Sequence, residues 1–243
     1  MPSDLVFSKA RLAYRVISRL SDVSHVVCVD HNFPNWLRAS SAYQAMPLSV
    51  VPNFTKIAPI NEKPTDRVNV IFARRFEKYR GTRVFAAAAK RLLDNYEQVH
   101  VTVAGGGPDE AFLKKTLDGY GERVNFITYK SGESLDVHAD KHIAVVPTVG
   151  SEGTSLSLLE AMSAQCAVIC TDVGGMSNIV LDGFNGLFTQ PTADALYEKL
   201  VLLVEDETLR RKLADNAYTT VKEAFSYDVW KERWTKILKD VAK

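Results

Sequence analysis

The chain has 243 residues, 46% hydrophobic and 24% charged, which allows one large domain or a domain and a half. Its 30 lysines and arginines nearly cancel its 29 aspartates and glutamates, so no global field draws it to nucleic acid or acidic lipid, and any polyanion site must be local. No apolar run approaches the roughly 18 residues of a membrane span, and the N-terminus lacks the basic-then-apolar pattern of a signal peptide.

Residues 3–20 place Ala13, Val16, Ile17 and Leu20 on an i, i+3, i+4, i+7 stripe, which predicts an amphipathic helix. "HVVCVD" (25–30) then reads as a strand, "NWLRASSAY" as a helix and "PLSVVP" (47–52) as another strand, a βαβ piece too small for a core of its own. Residues 51–66, with Pro59 and Pro64, read as a linker. From about 67 to 190 the apolar runs "VNVIFA", "QVHVTVA", "RVNFIT", "HIAVVP" and "AVICTD" recur at intervals that leave room for helices. Near-continuous apolarity without alternation predicts strands covered on both faces, hence a parallel sheet. "TRVFAAAAKRLLDNY" and "DEAFLKKTLDGYG" fill two of the intervals as helices. The expected class is α/β, a doubly wound parallel sheet over 67–243 with a short N-terminal βαβ remnant over 1–50. Two helices close the chain, and in "SYDVWKERWTKILKDV" an apolar stripe of Trp230, Trp234, Ile237, Leu238 and Val241 calls for a covering surface. Cys28, Cys166 and Cys170 lack zinc or redox spacing and read as reduced thiols, which suits the cytoplasm.

The chemistry concentrates in "EGTSLSLLEAM" (152–162). It follows a strand, so Glu152 lies in a loop at that strand's carboxyl end, where open α/β sheets bind ligands. Thr154 or Ser155 is a good N-cap for the next helix, whose free N–H groups and dipole suit a phosphate. Glu160 then falls about one and a half turns into an otherwise apolar helix. A bland alternative has it reach an arginine or solvent. "ARRFEKYRG" puts Arg74 and Arg80 around a loop after the first sheet strand, where fork-shaped contacts could hold a diphosphate. Arg75, beside them, reads as a solvated surface residue. "AGGGPDE" (104–110) places Gly106 and Gly107 between strand and helix, where backbone can approach a ligand closely. His25, His100, His138 and His142 have no ligand spacing, so no metal site is expected.

The ordered set R-x5-R-G, GGGP, E-x7-E, "EAMSAQCAVICTDVGG" and "DGFNGLF" resembles the carboxyl-terminal, donor-binding half of retaining GT-B glycosyltransferases of family four, from about Val51 to Phe225. The resemblance implies that Glu152 approaches the hydroxyls of a donor sugar and that Glu160 accepts from the ribose hydroxyls of its nucleotide. Arg74 and Arg80 match the pair that stabilises the departing diphosphate. Backbone around Gly153, Thr154, Ser155 and Leu156 would hold phosphates or sugar, and Tyr129, in the loop 128–130, would border the base. Ala73 stands where the family has a usual glycine before its arginine. Gln165 and Ala167 replace another glycine and a proline, all three at packing turns. The family's first Rossmann-like domain, with its acceptor site and catalytic histidine, is matched here by no more than residues 1–50. His31 comes too late to be that histidine and reads as a crevice-edge residue.

The expected activity is transfer of a hexose from an NDP-sugar, a UDP-sugar first, to a hydroxyl acceptor, with no metal or other cofactor. The expected partners are the nucleotide-sugar donor and the missing first domain or a partner chain, a second copy included, with no nucleic acid and at most peripheral membrane contact. Taken alone, the chain is expected to be incomplete and inactive. A non-catalytic nucleotide-sugar-binding subunit remains the alternative, with a sugar-nucleotide epimerase a third option.

Overall fold

A computed structural model describes residues 18–20, 22–39, 47–130 and 132–242. Of the helix expected over 3–20, residues 18–20 are described and helical, while Ala13, Val16 and Ile17 lie outside the described residues. The βαβ piece consists of β1 (Val26–Cys28), α1 (Asn32–Ala39) and β2 (Leu48–Val50). The end of the expected helix "NWLRASSAY" lies outside the described residues. β1 and β2 pair in parallel as a sheet of their own.

All five apolar runs are strands: β3 (Val68–Ala73), β4 (Val99–Ala104), β5 (Val124–Ile127), β6 (Ile143–Val146) and β7 (Ala167–Thr171). A short sixth, β8 (Leu187–Thr189), completes a parallel sheet of order β5-β4-β3-β6-β7-β8. The chain runs outward from β3 through β4 and β5, then returns to the other side of β3 and continues through β6, β7 and β8. Strand order therefore reverses between β3 and β6, and such a reversal leaves a crevice at the carboxyl ends of the strands.

β3 is buried along all six residues because helices cover both faces. Val70 and Phe72 face a layer built from α2 (Thr82–Asn95), α3 (Glu110–Thr116) and α5 (Ala193–Glu205). Ile71 and Ala73 face α4 (Leu156–Ser163) and α6 (Glu207–Ala224). In α2, Phe85, Ala86, Ala89, Leu92 and Leu93 form the helical stripe that fits this face, and the Phe85 ring stacks on Phe72 at 4.6 Å. Full burial of such side chains contributes about 1.5–3 kcal/mol each. Neither α5 nor β8 was expected. α5 has readable signals, since the Thr192 side chain accepts from Ala195 N and Leu196, Leu200 and Leu203 are buried on one stripe. β8 has three residues, too few to show a period.

Residues 51–66 carry no regular structure, yet they are tied to the sheet domain. Ala58 N donates to Ser163 Oγ at 2.9 Å, and that hydroxyl donates to Lys56 O at 2.7 Å. Lys63 Nζ donates to the carbonyls of Lys141 (2.5 Å), Ala164 (3.3 Å) and Gln165 (2.5 Å). The same strap covers part of the stripe on α7 (Tyr227–Val241): Phe54 packs on Trp230 with ring centres 4.8 Å apart, and Ile237 is buried. Leu238 and Val241 stay exposed. Gln165, between α4 and β7, has φ 56 and is the one non-glycine with positive φ among the described residues. The glycine of the resembled family would adopt that conformation more easily.

Candidate functional site

The crevice opens between the carboxyl ends of β3 and β6. Arg74 directly follows β3, and Arg80 ends a single 3-10 turn over Lys78–Arg80. Gly81 comes next with φ 81, and a β-carbon there would lie 1.8 Å from the carbonyl oxygen of Pro147. Glycine is what lets this turn press against the end of β6 and bring Arg80 to the crevice. From the other side, β6 runs through Pro147 and Thr148 into the loop that carries Glu152.

Both arginines converge on one carboxylate oxygen. Arg74 Nη2 donates to Glu152 Oε2 at 2.7 Å, and Arg80 Nη1 donates to the same atom. Thr148 Oγ1 donates to it at 3.0 Å while accepting from Arg74 Nη1 at 2.6 Å. Burial pushes the Glu152 carboxyl up, but the charge and hydrogen bonds of Arg74 together with those of Arg80 outweigh it and hold it below the usual range. The three side chains therefore form an ionised cluster of net charge +1. Thr148 was not foreseen, although its position just past β6 was a readable signal.

Glu160 lies on α4, which starts from the same loop. Ser155 is the N-cap residue but makes no side-chain cap bond, and Thr154 donates instead to Val29 O. The expected side-chain cap is thus absent: the β1–α1 loop holds the threonine, and Ser155 Oγ lies 3.5 Å from Ser157 Oγ. Leu156, first in the helix, is half exposed. Among the described residues Glu160 reaches no arginine. Its hydrogen bond comes from Ser134 Oγ to Oε1 at 2.9 Å, and no bond to its second oxygen is made among the described residues. Burial raises its pKa, with Ser134 partly offsetting that. The half-buried Tyr129 hydroxyl is pushed up by burial and then by the charge of Glu160. No sequence pattern pointed to Ser134, which sits in a loop 26 residues away.

The glycine loop divides its work. A β-carbon on Gly107, which has φ 153, would lie 2.6 Å from Phe76 O, so this glycine admits the chain that follows β3. Around Gly106 the space is open. Gly153 abuts Val29 and Asp30, and Asn53 Nδ2 donates to Thr154 O at 2.9 Å, so the N-terminal piece walls one side of the loop. His31 is at that rim, exposed, with its backbone N donating to Asn178 Oδ1. Arg75 points outward and pairs with Glu77. Burial pushes His138 and His142 down to about 4, which keeps them neutral, and both ring nitrogens of His142 are bonded to backbone. Among the described residues no three His, Cys, Asp or Glu side chains stand together as metal ligands.

The family model described as glycosyl transferases group 1 matches residues 53–220. The chain belongs to this family. A group 1 C-terminal domain (LpcC) from Francisella tularensis is 30% identical, with a TM-score of 0.60 over 68% of this chain and 89% of that one. Anabaena Alr3699/HepE, solved in complex with UDP, shares the fold at 18% identity, with a TM-score of 0.76 over 90% of this chain and 64% of its own. Among curated relatives, the uncharacterized glycosyltransferase MJ1069 of Methanocaldococcus jannaschii is 24% identical over 98% of this chain and 59% of its own length. The chain spans about half the length of the curated relatives it matches. The group 1 chain thus has the expected Rossmann-like, GT-B type architecture, a six-stranded parallel sheet with a small two-stranded one beside it.

Proposed function

We propose that this group 1 glycosyltransferase chain is the donor-binding part of a retaining hexosyltransferase that takes a hexose from an NDP-sugar, a UDP-sugar first, to a hydroxyl acceptor. The observation that carries this reading is the convergence of Arg74 and Arg80 at the strand-order reversal, with Glu160 half-buried and, among the described residues, without a cation on the helix that leaves the same loop. Buried carboxylates are costly without partners, and ribose hydroxyls would supply two donors to this one. Arg74 and Arg80 would stabilise charge developing on the leaving diphosphate, the electrostatic role that contributes most in such transfers. The uncapped start of α4, with backbone around Gly153 to Leu156 and at Gly106, would meet phosphates or sugar. Glu152 would turn to the sugar hydroxyls, and Tyr129 would border the base. No protein nucleophile is assigned; the leaving phosphate would help deprotonate the acceptor on the front face. The cationic pair would neutralise the diphosphate without a metal ion.

The acceptor wall would come from the rest of a longer protein or from a partner chain. In this reading residues 1–50 belong to the first domain, 51–66 link the two, and 67–243 bind the donor. A binding subunit remains the second reading, favoured by one structural neighbour that comes from a GtfA/B complex, at a TM-score of 0.80 and 17% identity. Calorimetry with UDP tests the donor site. Glu160→Ala removes charge-assisted hydrogen bonds of about 1.5–3 kcal/mol and should weaken UDP roughly 10- to 150-fold in a protein that remains folded. Because the free carboxyl has a raised pKa, affinity should be full above that value and decline as pH falls through it. Unchanged UDP affinity in folded Glu160→Ala protein removes the assignment.

A further inference from the structure

The Glu152 carboxylate occupies the very arginines assigned to the diphosphate. Three donors, Arg74 Nη2, Arg80 Nη1 and Thr148 Oγ1, meet at its single oxygen Oε2. The Arg74 side chain is 4% exposed and the Glu152 side chain 10%. An anion that takes these same N–H donors replaces this carboxylate, because two anions at hydrogen-bond distance from the same donors repel each other. Glu152 can leave. It sits on a loop without regular structure between β6 and α4, and the Arg80 side chain opposite it is 28% exposed.

We propose that Glu152 is an exchangeable internal counter-ion, and that the exchange makes the site select a sugar-bearing diphosphate over a bare one. The inference rests on the donor-site reading above. A diphosphate takes Arg74 and Arg80 and releases the carboxylate, which loses its hydrogen bonds and its charge partners. A bare diphosphate offers nothing in return. A diphosphate with an attached sugar offers hydroxyl donors to the released carboxylate, which then turns from the leaving-group side to the sugar side of the crevice. Thr148 is a positioning residue here: it bonds to both Arg74 and Glu152 and is fully buried, so it keeps the guanidinium aimed while the carboxylate departs. Binding energy from the sugar would thus be coupled to freeing the arginines for the departing phosphate.

The test uses the whole chain with three probes in calorimetry: inorganic pyrophosphate, UDP and UDP-glucose. Glu152→Gln removes the internal charge but keeps the shape. Pyrophosphate and UDP should bind this variant roughly 10- to 150-fold more tightly, the span of one charge-assisted hydrogen bond. The preference of the wild-type protein for UDP-glucose over UDP should collapse toward unity. A side chain with a merely structural role would weaken all ligands together and leave that preference in place. Should Glu152→Gln fold poorly, Glu152→Asp, one methylene too short to bring its oxygen to the point where both arginines meet, should give the same trend with a smaller gain. Pyrophosphate binding that is unchanged, weakened or undetectable in both proteins overturns the exchange. Tight UDP binding with no gain in the variant keeps the donor site and overturns the exchange, whereas tighter pyrophosphate binding without any UDP binding supports the exchange and removes the uridine reading.

Discussion

The two ends of the central sheet both hold buried cations, and they satisfy them by opposite means. At the amino-terminal end of the strands a cavity of about 510 Å3 is lined by Lys63, His142 and Arg210 among others. There Lys63 is bonded to three backbone carbonyls, and Arg210 Nη1 donates to the carbonyls of Leu203 (2.6 Å) and Val204 (3.3 Å). At the carboxyl-terminal end Arg74 and Arg80 are bonded to a carboxylate and a hydroxyl on side chains. A backbone carbonyl cannot leave, so a cation held by it is a clamp. A glutamate on a loop can leave, so a cation held by it is available to a ligand. The size of a cavity does not decide which end is functional; the kind of partner does.

Arg74→Ala should break this comparison most severely. It removes a nearly buried guanidinium and leaves Glu152 to Arg80 and Thr148, and breaking buried pairs typically costs 3–5 kcal/mol. With Arg80 still in place, about 3 kcal/mol of lost stability is expected in urea unfolding, together with loss of UDP binding. Lys63→Met at the other end should cost about 2 kcal/mol, because water in the open cavity can rehydrate the freed carbonyls. It should leave UDP affinity of the folded protein unchanged, measured by calorimetry well below the unfolding midpoint. A Lys63→Met protein of full stability, or one that loses UDP affinity while folded, breaks the distinction between clamp and site.

Much of this arrangement was legible before any coordinates. The runs at 68–73 and 143–146 are apolar on both faces, which is what a doubly covered parallel strand requires, and the strand ends place Arg74 and Glu152 at one edge. The meeting of those two side chains was not legible, because it depends on the close contact of Gly81 with Pro147 and on Thr148 between them. The partner of Glu160 was hidden for a different reason, since Ser134 comes from a loop with no periodic pattern. The linker reading of 51–66 identified the absence of regular structure but missed the strap, whose bonds to Ser163, Lys141 and Gln165 are set by tertiary packing. α5 was overlooked although its cap and stripe were in plain view.

In the proposed donor site the carboxyl-edge arginines grip a diphosphate. Arg80 is the better residue for testing it, because its side chain is partly exposed and its removal leaves the core intact. Calorimetry of Arg80→Ala with UDP and with uridine separates the phosphate contacts from the nucleoside contacts. UDP affinity should fall by roughly tenfold or more, the loss of one charge-assisted hydrogen bond, while uridine affinity stays as in the wild-type protein. An equal loss for both ligands would contradict it, because Arg80 would then be acting on the shape of the site and not on the diphosphate.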